Sequence, residues 1–185
     1  MIGIVHPGSM GSAVAACLTG AGRPVAWASE GRGPSTIARA AATGLADLRT
    51  LTRLRDDCDI ILSICPPHGA LDVARAFAGY PGIYVDANAV SPQLAIQIGA
   101  VASDGELFVD GGIIGGPPTR FGTTRLYLSG ARADAIAALF EGTALEAIVL
   151  PGADPGAASA LKMAYAAWTK ITAALSVVIR ASARA

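Results

Sequence analysis

The sequence predicts an α/β fold, a Rossmann-type doubly wound and mainly parallel sheet followed by a long C-terminal helix. Three observations carry this prediction. Short apolar runs alternate with longer helical patterns, which implies βαβ crossovers and a sheet covered on both faces. The first apolar run ends in a Pro-Gly turn that opens directly into a helix. From residue 156 onward, apolar positions recur at helical spacing to the end of the chain.

Taken in order, Ile2-Gly3-Ile4-Val5 is the first strand, closed by His6-Pro7-Gly8, and Ser9 to Ala21 reads as a helix ending near Gly20 or Gly22. Pro24 to Ala28 is a second strand, stopped at Glu30-Gly31-Arg32-Gly33, and Pro34-Ser35-Thr36 opens another helix. Ile60 to Ile64 is a strand halted by Pro66-Pro67, and Ile83 to Asp86 is the next. Ser91-Pro92 then combines an N-cap with proline at the first helical position. Strands follow at Leu107 to Asp110, Thr124 to Ser129 and Ala147 to Leu150. After Asp154-Pro155, a single helix over Gly156 to Arg184 would exceed roughly 40 Å, more than a compact domain of this size uses. Its apolar positions (Leu161, Ala164, Tyr165, Trp168, Ile171, Leu175, Val178, Ile179) call for further protein to cover them. The division expected is an α/β domain over 1–154 and a long helix over 155–185.

Composition narrows the function. The 185 residues hold 14 Lys+Arg against 14 Asp+Glu, a net charge of +0, with 52% hydrophobic and only 15% charged residues. A core of small aliphatic side chains follows, and disorder is excluded. Neutral balance without basic runs argues against nucleic acid or anionic membrane as a partner. Met1 to Gly22 carries no charge, yet Pro7 and five glycines make it a poor spanning helix, and it lacks the basic start of a secretory signal. Cys17, Cys58 and Cys65 form no CxxC pair, and His6 and His68 are scattered, so no disulfide framework and no metal site are expected. Reduced thiols fit a cytoplasmic protein.

The strand–turn–helix at His6-Pro7-Gly8-Ser9-Met10-Gly11 has the form of an anion site, with free N–H groups and the helix dipole aimed at a ligand. Gly8 would let the backbone approach a diphosphate and Gly11 would let the helix lie close to its strand. His6 stands where GxGxxG has its first glycine, so the motif alone leaves an ordinary βα turn as the alternative. At the end of the second strand, Ser29 with Arg32 favours the 2′-phosphate of NADP, whereas Glu30 would favour the ribose hydroxyls of NAD.

Taken together, these segments resemble the β-hydroxyacid dehydrogenase superfamily, which includes 6-phosphogluconate and 3-hydroxyisobutyrate dehydrogenases and the imine reductases. HPGSMG (residues 6–11) resembles that family's GLGxMG; Asp59 to Pro66 resembles its DVVxxxLP; Asp86 to Pro92 resembles DxSTxSP. Asp110 to Gly116 resembles DAPVSGG, Gly122 to Leu126 resembles GTLTI, and Gly156 to Lys162 matches the spacing from glycine to catalytic lysine. The resemblance implies a cofactor diphosphate at His6–Gly11, a nicotinamide side at Cys65 and Pro66, a ribose contact at Asn88, and Lys162 as proton donor or acceptor. It places substrate at Ile114, Gly115, Gly116 and Tyr165, and it implies a homodimer formed through the helical region. Two positions depart from the family: Ile114 replaces a serine that grips a substrate carboxylate, and Ala166 replaces an asparagine four residues after the lysine. Tyr165 offers a hydroxyl to substrate, with core packing as its alternative role. The expected function is NAD(P)-dependent hydride transfer to or from a C=O/CH–OH or C=N group of a small molecule. The alternatives are an imine or ketone reductase of specialised metabolism and a non-catalytic dinucleotide sensor.

Overall fold

The computed structural model describes residues 1–184. Eight strands form one sheet: β1 (Ile2–Ile4), β2 (Val25–Trp27), β3 (Ala46–Asp47), β4 (Ile60–Ser63), β5 (Ile83–Asp86), β6 (Phe108–Ile114), β7 (Thr124–Ser129) and β8 (Leu145–Val149). Their order is β3-β2-β1-β4-β5-β6-β7-β8. Every pairing is parallel except β6 with β7. The first six strands are therefore doubly wound, and the chain reverses its direction of travel between β1 and β4.

Helices α1 (Ser9–Gly20), α2 (Pro34–Ala42) and α6 (Ala133–Ala137) help cover one face of the sheet, whose core includes Ile4, Leu18, Leu62, Val85 and Leu128. Helices α3 (Leu51–Asp57), α4 (Ala70–Ala76) and α5 (Pro92–Ala102) cover the other, around Phe77, Tyr84, Ile98 and Phe108. Burial on both faces explains why the central strands read as continuous apolar runs rather than alternating ones. Proline and a hydroxyl cap set α5 as expected: Ser91 Oγ accepts from Leu94 N at 3.2 Å.

Several features differ from the sequence expectation, among them α4 and α6, which lie where no helix was assigned. β3 and α3 lie between the second helix and β4, where no element was assigned; β3 is two exposed residues and α3 buries only Leu54, so neither leaves an apolar signature. β6 runs on to Ile114 because β7 returns antiparallel beside it, pairing Asp110 with Ser129 and Ile114 with Arg125. β8 begins at Leu145 rather than Ala147.

The long helix α7 spans Ala157–Ser182, 26 residues, and so about 39 Å at 1.5 Å per residue. Its first turn crosses β6 and β7 and touches α5. Beyond it the apolar side chains stand in solvent: Trp168 is 72% and Ile171 67% exposed. No described helix is long and apolar enough to cross a membrane.

Candidate cofactor and proton-transfer site

The reversal between β1 and β4 opens a crevice at the carboxyl ends of the strands, the place where open α/β sheets bind ligands. β1 delivers His6-Pro7-Gly8 to one side of it. Gly8 is the N-cap of α1, and the first helical bond runs from Ser12 N to Gly8 O at 2.9 Å. The N–H groups of Ser9, Met10 and Gly11 precede that bond and have no backbone acceptor among the described residues. A Cβ on Gly8 would meet nothing within 4 Å, so the space before these donors is open. A Cβ on Gly11 would collide with the His6 carbonyl oxygen, so only glycine lets α1 lie this close to the end of β1.

The imidazole of His6 meets Arg32, whose Nη1 donates to His6 Nε2. Burial, and then the Arg32 charge, hold the His6 pKa down to about 4, so the ring is neutral at pH 7. His6 Nδ1 and Arg32 Nε are buried without partners. Arg32 makes no salt bridge among the described residues and is itself partly desolvated. A guanidinium on the imidazole two residues before the Gly8 cap, with no carboxylate to answer it, suits an anionic ligand. Glu30 is exposed, and Ser29 N donates to Asp47 Oδ1 at 3.2 Å. Asp47, on the unforeseen β3, thus supplies the acid that secures the end of β2.

On the far side of the crevice, Met10, Ile64, Cys65, Pro67, Asn88 and Lys162 line a space of about 180 Å³. Pro67, rather than the neighbouring Pro66 expected at this wall, contributes to it. Asn88 is buried and its amide is engaged at both ends. Its Oδ1 accepts from Cys65 N at 2.6 Å, while Nδ2 donates to Ser63 Oγ at 3.0 Å and to Asp86 Oδ1. The side chain holds the β4 and β5 loops together at the crevice wall. Burial raises the Cys65 thiol to about 11, which leaves it a neutral wall residue.

Lys162 enters this space from the second turn of α7, half-buried. Burial, and then the Lys170 charge, lower its pKa from the ordinary lysine value. Gly112 makes the approach possible: a Cβ there would stand 2.6 Å from the Ala158 carbonyl oxygen and 3.1 Å from Lys162 Cβ. Ile114 is two residues further along β6 and shares the face that α7 crosses; it is half-buried, whereas Gly115 and Gly116 are exposed. Ile113, rather than any of these three, contributes to the crevice lining. Tyr165 is 44% exposed, so it takes no part in the core of the described chain.

Four buried polar residues behind this wall carry no role in the sequence reading: Asp86, Asp110, Ser129 and Ser159 are each 0% exposed. The sequence did contain their signal, since Asp86 and Asp110 close apolar runs on adjacent strands and are register partners. A larger concavity of about 710 Å³ lies elsewhere, walled by Glu106, Asp134 and residues 149–155, with no cation or nucleophile in it. Among the described residues, no cluster of three or more His, Cys, Asp or Glu is placed to hold a metal ion.

No protein-family model matches the chain. It is 36% identical over 148 residues to an uncharacterized 28.5 kDa protein in the 7S RNA 5′ region of Methanothermus fervidus, covering 79% of this chain and 56% of that protein. It superposes with a TM-score of 0.80 and 32% identity on a conserved protein of unknown function described as structurally similar to 3-hydroxyacid dehydrogenases, covering 94% of this chain and 66% of that one. An imine reductase from Myxococcus stipitatus in complex with NADP+ gives a TM-score of 0.70 at 20% identity, covering 95% of this chain and 63% of the enzyme. A variant of that reductase in complex with NAD+ gives 0.67 at 21%, covering 96% and 64%. The chain thus spans between about half and two thirds of the length of these proteins. What the likeness establishes is the fold: that of the NAD(P)-binding domains of hydroxyacid dehydrogenases and imine reductases.

Proposed function

We propose that this chain binds a nicotinamide dinucleotide across the carboxyl ends of β1, β4 and β5, and that Lys162 moves the proton in a hydride-transfer reaction. The observation that carries this reading is the placement of Lys162 in one crevice with Met10 of α1, Cys65 and Asn88. A 26-residue helix from the far end of the chain packs its first turn on β6 and so brings a half-buried lysine to residues from the start and middle of the chain.

The free N–H groups of Ser9, Met10 and Gly11 would hold the diphosphate, with Gly8 leaving room for it. Arg32 would leave His6 to meet a 2′-phosphate, which favours NADP over NAD because Glu30 is exposed and Arg32 lacks a counter-ion. When bound, the dinucleotide supplies or accepts the hydride at a C=O/CH–OH or C=N carbon. Lys162 Nζ gives its proton to the substrate oxygen or nitrogen in reduction and takes it back in oxidation; a lowered pKa brings it nearer to neutrality for both tasks. Ile64, Ile113, Met10 and the methyls of Ala87 and Ala89 exclude water and make the wall apolar. That wall, with Ile114 where a carboxylate-gripping serine is expected, favours an imine or ketone substrate over a small hydroxy acid. The apolar face of α7 supports a homodimer built through the helical region.

The test is Lys162→Ala in the full-length protein. Turnover falls by about 10²–10⁴, while NADPH affinity stays within a few-fold. Near-normal turnover in that variant would reject the role of Lys162. Tight cofactor binding by the unaltered protein, without turnover on any carbonyl or imine, would favour a sensor.

A further inference from the structure

The N-cap of helix α7 is Gly156, a residue in the left-handed region (φ +102°) with no side chain to offer the helix. The cap comes instead from β6. Asp110 Oδ2 accepts from Gly156 N and from Ser159 N, each at 2.9 Å, and Asp110 Oδ1 accepts from Ser159 Oγ at 2.6 Å. Ser129 on β7 adds a second tie: its Oγ donates to Asp110 Oδ2 at 3.3 Å and accepts from Ala158 N at 3.2 Å. All of these side chains are sealed from solvent. Two residues along the same strand, Gly112 brings α7 to van der Waals contact just under Lys162 Cβ.

We propose that Asp110, with Ser159, is a positioning residue for Lys162: the carboxylate clamps the first turn of α7 to β6 and thereby fixes where the amine stands over the crevice. The proposal rests on the proton-transfer role given to Lys162 above. Lys162 lies three residues beyond Ser159 and so just under one turn from the clamp. Asp110 makes no hydrogen bond to Lys162 and is absent from the crevice wall. Its effect passes through the helix alone. A buried carboxylate with this many charge-assisted donors holds geometry more tightly than an ordinary N-cap, because releasing it strands a desolvated charge. A solvent-exposed serine cap would hold the helix end with far less precision.

The experiment uses the full-length protein with Asp110→Asn and Ser159→Ala, following the Lys162 Nζ titration by NMR alongside turnover. Both variants should raise the titration midpoint of Lys162 towards that of an exposed lysine, near 10.4, as the amine escapes the crevice. Turnover should fall roughly 30-fold for Asp110→Asn and less for Ser159→Ala, with NADPH affinity within about twofold. The direction is diagnostic: loss of a neighbouring carboxylate without movement of the lysine cannot raise its pKa. Ser159→Thr, which keeps the hydroxyl, should restore the midpoint. An unchanged or lowered midpoint in folded Asp110→Asn and Ser159→Ala would overturn the proposal, and Ser159→Ala alone decides it if Asp110→Asn does not fold. A raised midpoint together with normal turnover of Lys162→Ala would uphold the clamp and refute the catalytic role instead.

Discussion

The two ends of α7 invert the usual partition of side chains in opposite ways. At its start, polar groups are hidden: Asp110, Ser129 and Ser159 are 0% exposed and satisfy one another. Further along, apolar groups are shown: Trp168, Ile171 and Leu175 are 72%, 67% and 56% exposed on one face of the helix. Buried polar clusters and contiguous exposed apolar faces are the two departures that carry information about a site or a surface. Lys162 sits where one gives way to the other. The α/β body is therefore sufficient to seat the lysine.

The most demanding way to probe the hidden end is its buried charge. Burial, then the neighbouring Asp110, raise Asp86 from the usual 3.8 to about 7, against the opposing pull of Asn88. The sign follows from proton binding. Below about pH 4 both folded and unfolded chains hold the proton and Asp86 costs nothing. As pH rises towards 7 the unfolded chain releases it while the folded one does not, and stability declines until the pH passes the folded value. The full cost is on the order of 4 kcal/mol. Asp86→Asn keeps an acceptor for Asn88 Nδ2 and removes the titration, so its denaturant midpoint at pH 8 should exceed that of the unaltered chain. The two should converge near pH 4; a parallel pair of pH curves would show that Asp86 ionises freely.

A smaller effect is expected from Gly112→Ala. The added methyl meets the Ala158 carbonyl oxygen, a backbone atom that cannot rotate away. Overpacking of this kind costs about 1–3 kcal/mol and should lift α7 from β6. Unchanged stability would mean that the first turn of α7 is not held where described. At the distal end the comparison predicts almost nothing for this chain alone. Trp168→Ser should change its stability by less than about 0.5 kcal/mol, while weakening self-association if that face pairs with a second copy. A large loss of monomer stability would show that Trp168 already has a packing partner.

How much of this was legible beforehand depends on range. β1, the Pro7-Gly8 turn and α1 are local: an apolar run, a turn residue and a small-residue helix adjoin in sequence, and each appears where expected. Ser91-Pro92 is equally local and caps α5 as read. β3 was illegible because Ala46–Asp47 is two residues long and exposed, held by backbone pairing to β2 rather than by burial. Lys162 was marked only by its spacing from Gly156; its burial needed β6 beneath it. The clamp was out of reach because it joins residues 46 and 49 positions apart, and capping rules look to adjacent residues. Nothing in the sequence neighbourhood of Asn88 revealed that Cys65 N and Ser63 Oγ would engage its amide.

The central claim is that the mouth between β1 and β4 receives a dinucleotide with Lys162 beside its reactive end. Titrating NADP+ and NAD+ into the isotopically labelled protein, and following backbone amides, tests it most directly. Saturable shifts at Ser9, Met10 and Gly11, accompanied by shifts at Cys65 and Lys162 and by movement of His6 as Arg32 leaves it, are the predicted result, with tighter binding of NADP+. Shifts confined to other surfaces, or none at millimolar cofactor, would contradict it.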